Sequence, residues 1–228
     1  MQNSSRSNAL IALVLLVPAP SVGTYCAMYA LRGAEGQAIY GICKLWLAAM
    51  PLAWWLWIDK GKLGWSPLRQ GGWLAGLSLG IVIAAAILLG YELFGKNWID
   101  VEKVRQAAAT NGIGSPAIYL LFSAYLILVN SLLEEYVWRW FCFRKCETFM
   151  PGWLAVTASA CCFTIHHTFA LRAQFSWRIT VFGSCGVFIG GAVWSWWYLR
   201  YRSIWPGYLS HVMADVAILL IGWRLLFS

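Results

Sequence analysis

"AIYLLFSAYLILVNSLLEEYVWRWFCFRK", residues 117–145, is the stretch whose reading decides the fold. It opens on an uncharged apolar run, sets Glu134 and Glu135 side by side, and then continues into an aromatic stretch. A membrane-spanning helix needs about 20 mostly apolar residues, and this segment supplies them. An ionisable side chain at the centre of such a helix costs about 2.5–3.5 kcal/mol on insertion scales, so two adjacent carboxylates require compensation. Arg139 follows Glu135 by four residues, a spacing that puts both on one helix face. An ion pair between them offsets part of the cost. Glu134 points about 100° away and has no local partner, so it must find one on another helix. Acids solvated at a helix end would be the simpler reading. The run "YVWRWFCF" argues against it, because apolar character continues past the acids.

Working outward, the whole chain has the same character. It is 61% hydrophobic and 11% charged, with only nine acidic residues. Soluble domains are about 45–50% apolar and about 25% charged. Sixteen tryptophans and ten tyrosines supply the amphipathic rings that gather at membrane interfaces. The chain therefore reads as an all-α, polytopic transmembrane helix bundle, a single membrane domain over 1–228. The net charge of +8 is spread over short loops such as "DKGK", "FRK" and "RYR", as expected of anchors against anionic lipid. No basic stripe interleaved with aromatics is present, so nucleic acid is not expected as a partner. The seven cysteines form no CxxC pair and read as small, buried apolar residues.

About seven spans are expected, over 8–31, 38–58, 73–94, 116–143, 152–171, 179–199 and 204–226. The N-terminal stretch has some features of a signal peptide, but its apolar character continues through "VGTYCAMYAL", which favours a retained, proline-kinked first span. "RGAEGQ" (32–37) and "DKGKLGWSPLRQGG" (59–72) punctuate the early connections, and the polar stretch 95–116 has room for a short surface helix. Gly76 with Gly80, and Gly186 with Gly190, have the small-xxx-small spacing of close helix packing. Basic residues divide almost evenly between the two sides, so the positive-inside rule does not orient the chain.

All three histidines fall in apolar segments. "CCFTIHHTFAL" carries His166 and His167, and "LSHVMADVAILL" carries His211 with Asp215 four residues on. Measured from the face bearing "RKCET" and "RYRSIWPG" at about 1.5 Å per residue, Glu134 lies roughly 16 Å deep, His167 roughly 22 Å, His211 roughly 10 Å and Asp215 roughly 16 Å. Given the few residues by which helix ends blur, these groups share one layer of the bilayer. Polar residues at one depth on three helices point to a single hydrated site that binds a water or a metal.

The three motifs resemble those of a known family. "EEYVWR" fits EExxxR, "FTIHH" fits FxxxH from Phe163 to His167, and "HVMAD" fits HxxxN/D from His211 to Asp215. In this order on membrane helices they resemble the CAAX protease and bacteriocin-processing (CPBP, or Abi) family, over about residues 116–220. The resemblance implies an intramembrane endopeptidase of the glutamic type, cleaving a peptide bond near a membrane-associated end of its substrate. It implies that Glu134 activates a water, that Glu135 and Arg139 hold the base in place, and that His167 orients the water. It places His211 and Asp215 on the side that stabilises the oxyanion. Some members carry Asn where this chain has Asp215. An ionised aspartate only accepts hydrogen bonds, so Asp215 acts as a donor there only if protonated; otherwise it orients His211 or joins a metal site.

The implied partners are a membrane-anchored or membrane-associated protein or peptide and the lipid bilayer. The implied location is an integral, multi-pass position, in the plasma or inner membrane if the source is bacterial. No cofactor is favoured, with a divalent metal such as zinc left open. HExxH and HxxEH are absent, and "GSCG" around Ser184 is a poor match to a serine nucleophile motif. Two other classes compete. A proton- or ion-coupled carrier would use Glu134, His167 and His211 as a relay, and would show inverted repeats and broken helices. A non-catalytic membrane scaffold would use the polar cluster as glue.

Overall fold

The computed structural model describes residues 2–31, 33–62 and 72–228. Arg32 and the greater part of the 59–72 connection, including Arg69, lie outside the described residues. Among the described residues, seven helices are long and apolar enough to cross a membrane. They are α1 (Ser5–Ala30), α2 (Ala34–Trp57), α3 (Trp73–Trp98), α5 (Pro116–Cys146), α6 (Gly152–Gln174), α7 (Trp177–Tyr201) and α8 (Trp205–Phe227). A short helix, α4 (Val101–Thr110), occupies the polar stretch between α3 and α5. The side chain of Asp100 caps it, accepting from the backbone N–H of Lys103. That bond satisfies one of the donors left open at any helix start. The protein is an integral, multi-pass membrane protein with an all-α bundle architecture.

The bundle presents its apolar side chains outward. Leu74 is 81% exposed, Leu121 73% and Leu45 71%, whereas Glu135 and Arg139 are 0% exposed. That inversion is what a bilayer requires, since lipid solvates the leucines and the protein must solvate the charges. The buried centre is assembled on α5, where Val137, Trp138, Phe141, Cys142 and Phe143 pack with Phe163 of α6 and with Trp194 and Tyr198 of α7. α8 runs along α3, and α6 runs along α7. α5 touches α2, α6, α7 and α8.

Glycines set two of these approaches. On α3, a Cβ at Gly76 would strike the backbone of Pro206, and one at Gly80 the side chain of Met213, so both let α8 come close. The expected Gly186 and Gly190 pair does not act this way. Gly186 faces open space and Gly190 faces Trp194 of its own helix. The close approach of α7 to α6 is instead at Gly191, against Phe163 and Ala160.

Two further expectations change. Cys142 and Cys146 are buried, but Cys161 and Cys185 are exposed, because they lie on outward faces of α6 and α7. Lys145, expected in a solvated loop, is buried and ion-paired with Asp59 at the end of α2.

Candidate active site

Glu134 ends a single α-helical turn, Ser131–Glu134, set between two π-helical stretches, Leu126–Asn130 and Glu135–Phe143. Such turns are rare and concentrate at functional sites. They lie in the segment that also has to bury both acids and an arginine.

Glu135 and Arg139 form the predicted ion pair, with Nη1 3.3 Å from Oε1. The guanidinium lies over Phe163, 4.4 Å from the ring centroid, and 5.0 Å from that of Trp194. Neither the three guanidinium nitrogens nor Glu135 Oε2 has a hydrogen-bond partner among the described residues. The pair is therefore held by charge and ring contact rather than by a bidentate fork. Glu135 Oε1 also accepts from His211 Nδ1 at 3.0 Å. Gly207 of α8 leaves room for this carboxylate, since a Cβ there would lie 2.6 Å from Oε2.

Glu134, expected to lack a local partner, has one. Asn130, one turn earlier, donates from Nδ2 to Oε1 at 2.9 Å. The other oxygen, Oε2, faces His211 Nε2 at 3.6 Å and His167 Nε2 at 4.0 Å. The two imidazoles are oriented in the same sense. His167 Nδ1 lies 2.9 Å from the Phe163 carbonyl oxygen, which only accepts, so Nδ1 carries the proton. His211 Nδ1 likewise donates to the Glu135 carboxylate, and the ring stacks on Trp194 with centroids 4.0 Å apart. Both Nε2 atoms are thereby turned toward Glu134 Oε2.

Asp215 sits at the edge of this arrangement, with Oδ1 3.9 Å from His211 Nε2. That separation exceeds hydrogen-bonding distance, so Glu135 rather than Asp215 orients His211. Asp215 Oδ2 lies 2.6 Å from Ser131 Oγ, which is also 2.9 Å from the Leu126 carbonyl oxygen. The serine has one proton and cannot donate to both. A protonated Asp215 would donate to Ser131 and leave the serine proton for Leu126.

The structure thus brings Glu134, Glu135, Arg139, His167, His211 and Asp215 around one locus. The donor group among the described residues that suits a metal is Glu134, His166 and His167, whose ligand atoms lie within 4.8 Å of one another. It includes His166, which the spacing argument set aside, and leaves out His211 and Asp215. His166 stacks on Trp138, and its Nδ1 is buried without a hydrogen-bond partner among the described residues. Ser184 is engaged with the Thr168 hydroxyl on the face between α6 and α7.

Sequence reasoning missed Asn130, Ser131, Trp194 and Lys44. Lys44 is the one Lys or Arg in the apolar stretch 38–58, and its Nζ donates to Asn130 Oδ1 at 2.6 Å. An intramembrane cation is a functional signal in its own right, and it could have been found that way. Asn130 had a signal too, since it stands four residues before Glu134.

Residues 116–217 match the family model described as "Rce1-like: Type II CAAX prenyl endopeptidase Rce1-like". This is the resemblance that the three motifs carry. No curated protein and no solved structure was found to match the chain.

Proposed function

We propose that this chain, CAAX-endopeptidase-like over 116–217, is an intramembrane endopeptidase acting on a protein or peptide with a membrane-associated end. The observation that carries the reading is the convergence of two imidazole Nε2 atoms on Glu134 Oε2, in the interior of a seven-span bundle. A water seated among these three atoms has an acceptor for its proton and two ring nitrogens to orient it. Glu134 takes the proton as the water oxygen attacks the substrate carbonyl carbon. The carbonyl oxygen becomes an oxyanion on the His211 and Asp215 side, where it requires donors already aimed at it. His211 serves with a second proton on Nε2, and Asp215 serves in its protonated form. Glu134 then returns its proton to the departing amine as the C–N bond breaks. Glu135 and Arg139 hold His211 and the helix in register.

The experiment is a mass-spectrometric comparison of membrane-protein termini in cells carrying the native chain and Glu134→Gln. Glu134→Gln should remove a set of termini, with a rate loss of about 10²–10⁴-fold, while the protein remains folded. Unchanged termini overturn the reading.

A second reading is favoured by the close approach of Glu134, His166 and His167. These three would hold a divalent cation, which would polarise the water or the carbonyl. Substitution at His166 separates the two. His166→Phe keeps a ring against Trp138; it leaves glutamate-based cleavage largely intact and abolishes metal-assisted cleavage together with metal binding.

A further inference from the structure

We propose that Lys44 is a positioning residue for Glu134, acting through Asn130. The inference rests on the reading of Glu134 as the base and extends the site to α2, outside the segment that matches the family model. An asparagine amide can turn either end toward a neighbour, and the two ends have opposite hydrogen-bonding sense. A lysine ammonium only donates. Lys44 Nζ, 2.6 Å from Asn130 Oδ1, therefore holds the amide oxygen and turns the NH2 group onto Glu134 Oε1. With the amide reversed, its oxygen would face a carboxylate oxygen and the hydrogen bond would become a repulsion.

The consequence is directional. With Oε1 held by Asn130, the carboxylate cannot rotate, and Oε2 stays between the Nε2 atoms of His167 and His211. A purely structural lysine would pair with a carboxylate. The hydrogen bond of Lys44 goes instead to a neutral amide, with Tyr40 one turn earlier placing its ring 5.8 Å from the ammonium. Keeping a cation inside an apolar span for the sake of an amide is costly, and the amide it orients is bonded to Glu134.

The test measures the termini that disappear in Glu134→Gln cells, in strains carrying Lys44→Met, Lys44→Arg, Asn130→Asp and the pair Lys44→Met with Asn130→Asp. Lys44→Met should lower their abundance about 10–100-fold, the scale of a misplaced catalytic group. Lys44→Arg should restore most of it, because the donor returns. Asn130→Asp keeps an acceptor for Lys44 and loses the N–H toward Glu134, so it should match Lys44→Met. The double variant should fall no further than either single, since both break one chain.

With a synthetic peptide copying one such cleavage site, in detergent, Lys44→Met should lower kcat and leave KM within about twofold. If Glu134→Gln changes no termini, the protease reading itself fails. If Glu134→Gln abolishes them while Lys44→Met or Asn130→Asp cleaves within about twofold of native, only the positioning role fails. Should Lys44→Met not fold, Lys44→Gln takes its place with the same outcomes, because its amide can turn either its oxygen or its N–H toward Asn130 and so no longer fixes which end faces Glu134.

Discussion

Replacing Arg139 by methionine removes a charge from the most enclosed part of the bundle. Arg139 and Glu135 are both wholly buried, with their charges 3.3 Å apart. At an effective dielectric of about 20, two unit charges at that separation attract by about 5 kcal/mol. Desolvation offsets much of this in the intact pair, but removing one partner strands the other, at about 3–5 kcal/mol. The contacts of the guanidinium with Phe163 and Trp194 contribute about 0.5–2 kcal/mol more. Arg139→Met should therefore lower the apparent melting temperature by about 10 °C or more. Glu135→Gln combined with Arg139→Met should recover most of the loss, because no charge is left alone and the glutamine oxygen still accepts from His211. Thermal unfolding in detergent, followed by the summed fluorescence of the sixteen tryptophans, Trp194 beside the guanidinium among them, reads the loss. A single variant within about 1 kcal/mol of native, or a double variant no better than the single, refutes the reasoning.

Gly207→Ala pushes a methyl group against Glu135 Oε2 and should destabilise the protein by about 1–3 kcal/mol, with a loss of cleavage as His211 is displaced. Asp215→Asn should cleave within about tenfold of native, because the amide supplies a donor, whereas Asp215→Ala should lose about 10²–10³-fold; equal losses count against a donor role. Asp100 caps α4 from outside the membrane, and the Lys103 backbone N–H holds its carboxyl below the usual range. A carboxyl lowered by folding stabilises above its unfolded value, so protection of the α4 amides from hydrogen exchange should fall below about pH 4, and Asp100→Asn should remove that dependence. Arg202 meets Glu147 through two hydrogen bonds of 2.6 and 2.8 Å across the loops that flank α6 and α7. Arg202→Ala should cost about 0.5–1 kcal/mol, and less in high salt, read by unfolding at two ionic strengths.

Architecture was legible in the chain because a bilayer leaves few choices. Uninterrupted apolar runs of spanning length must be helices, and the seven expected segments coincide with seven helices of sufficient length and hydropathy. Contacts along a single helix were legible too. Glu135 and Arg139, four residues apart, meet as the spacing requires. Tertiary packing alone decided the rest. Which face of α6 turns inward determined that Gly191, and not Gly186, lets α7 approach. The meeting of α8 with α5 set Glu135 rather than Asp215 on His211. Lys44 and Asn130 are 86 positions apart, and nothing in either local sequence says that they touch. Helical periodicity reports which side chains share a face within about one turn, but hydrogen bonds between helices depend on rotation and depth that only packing sets.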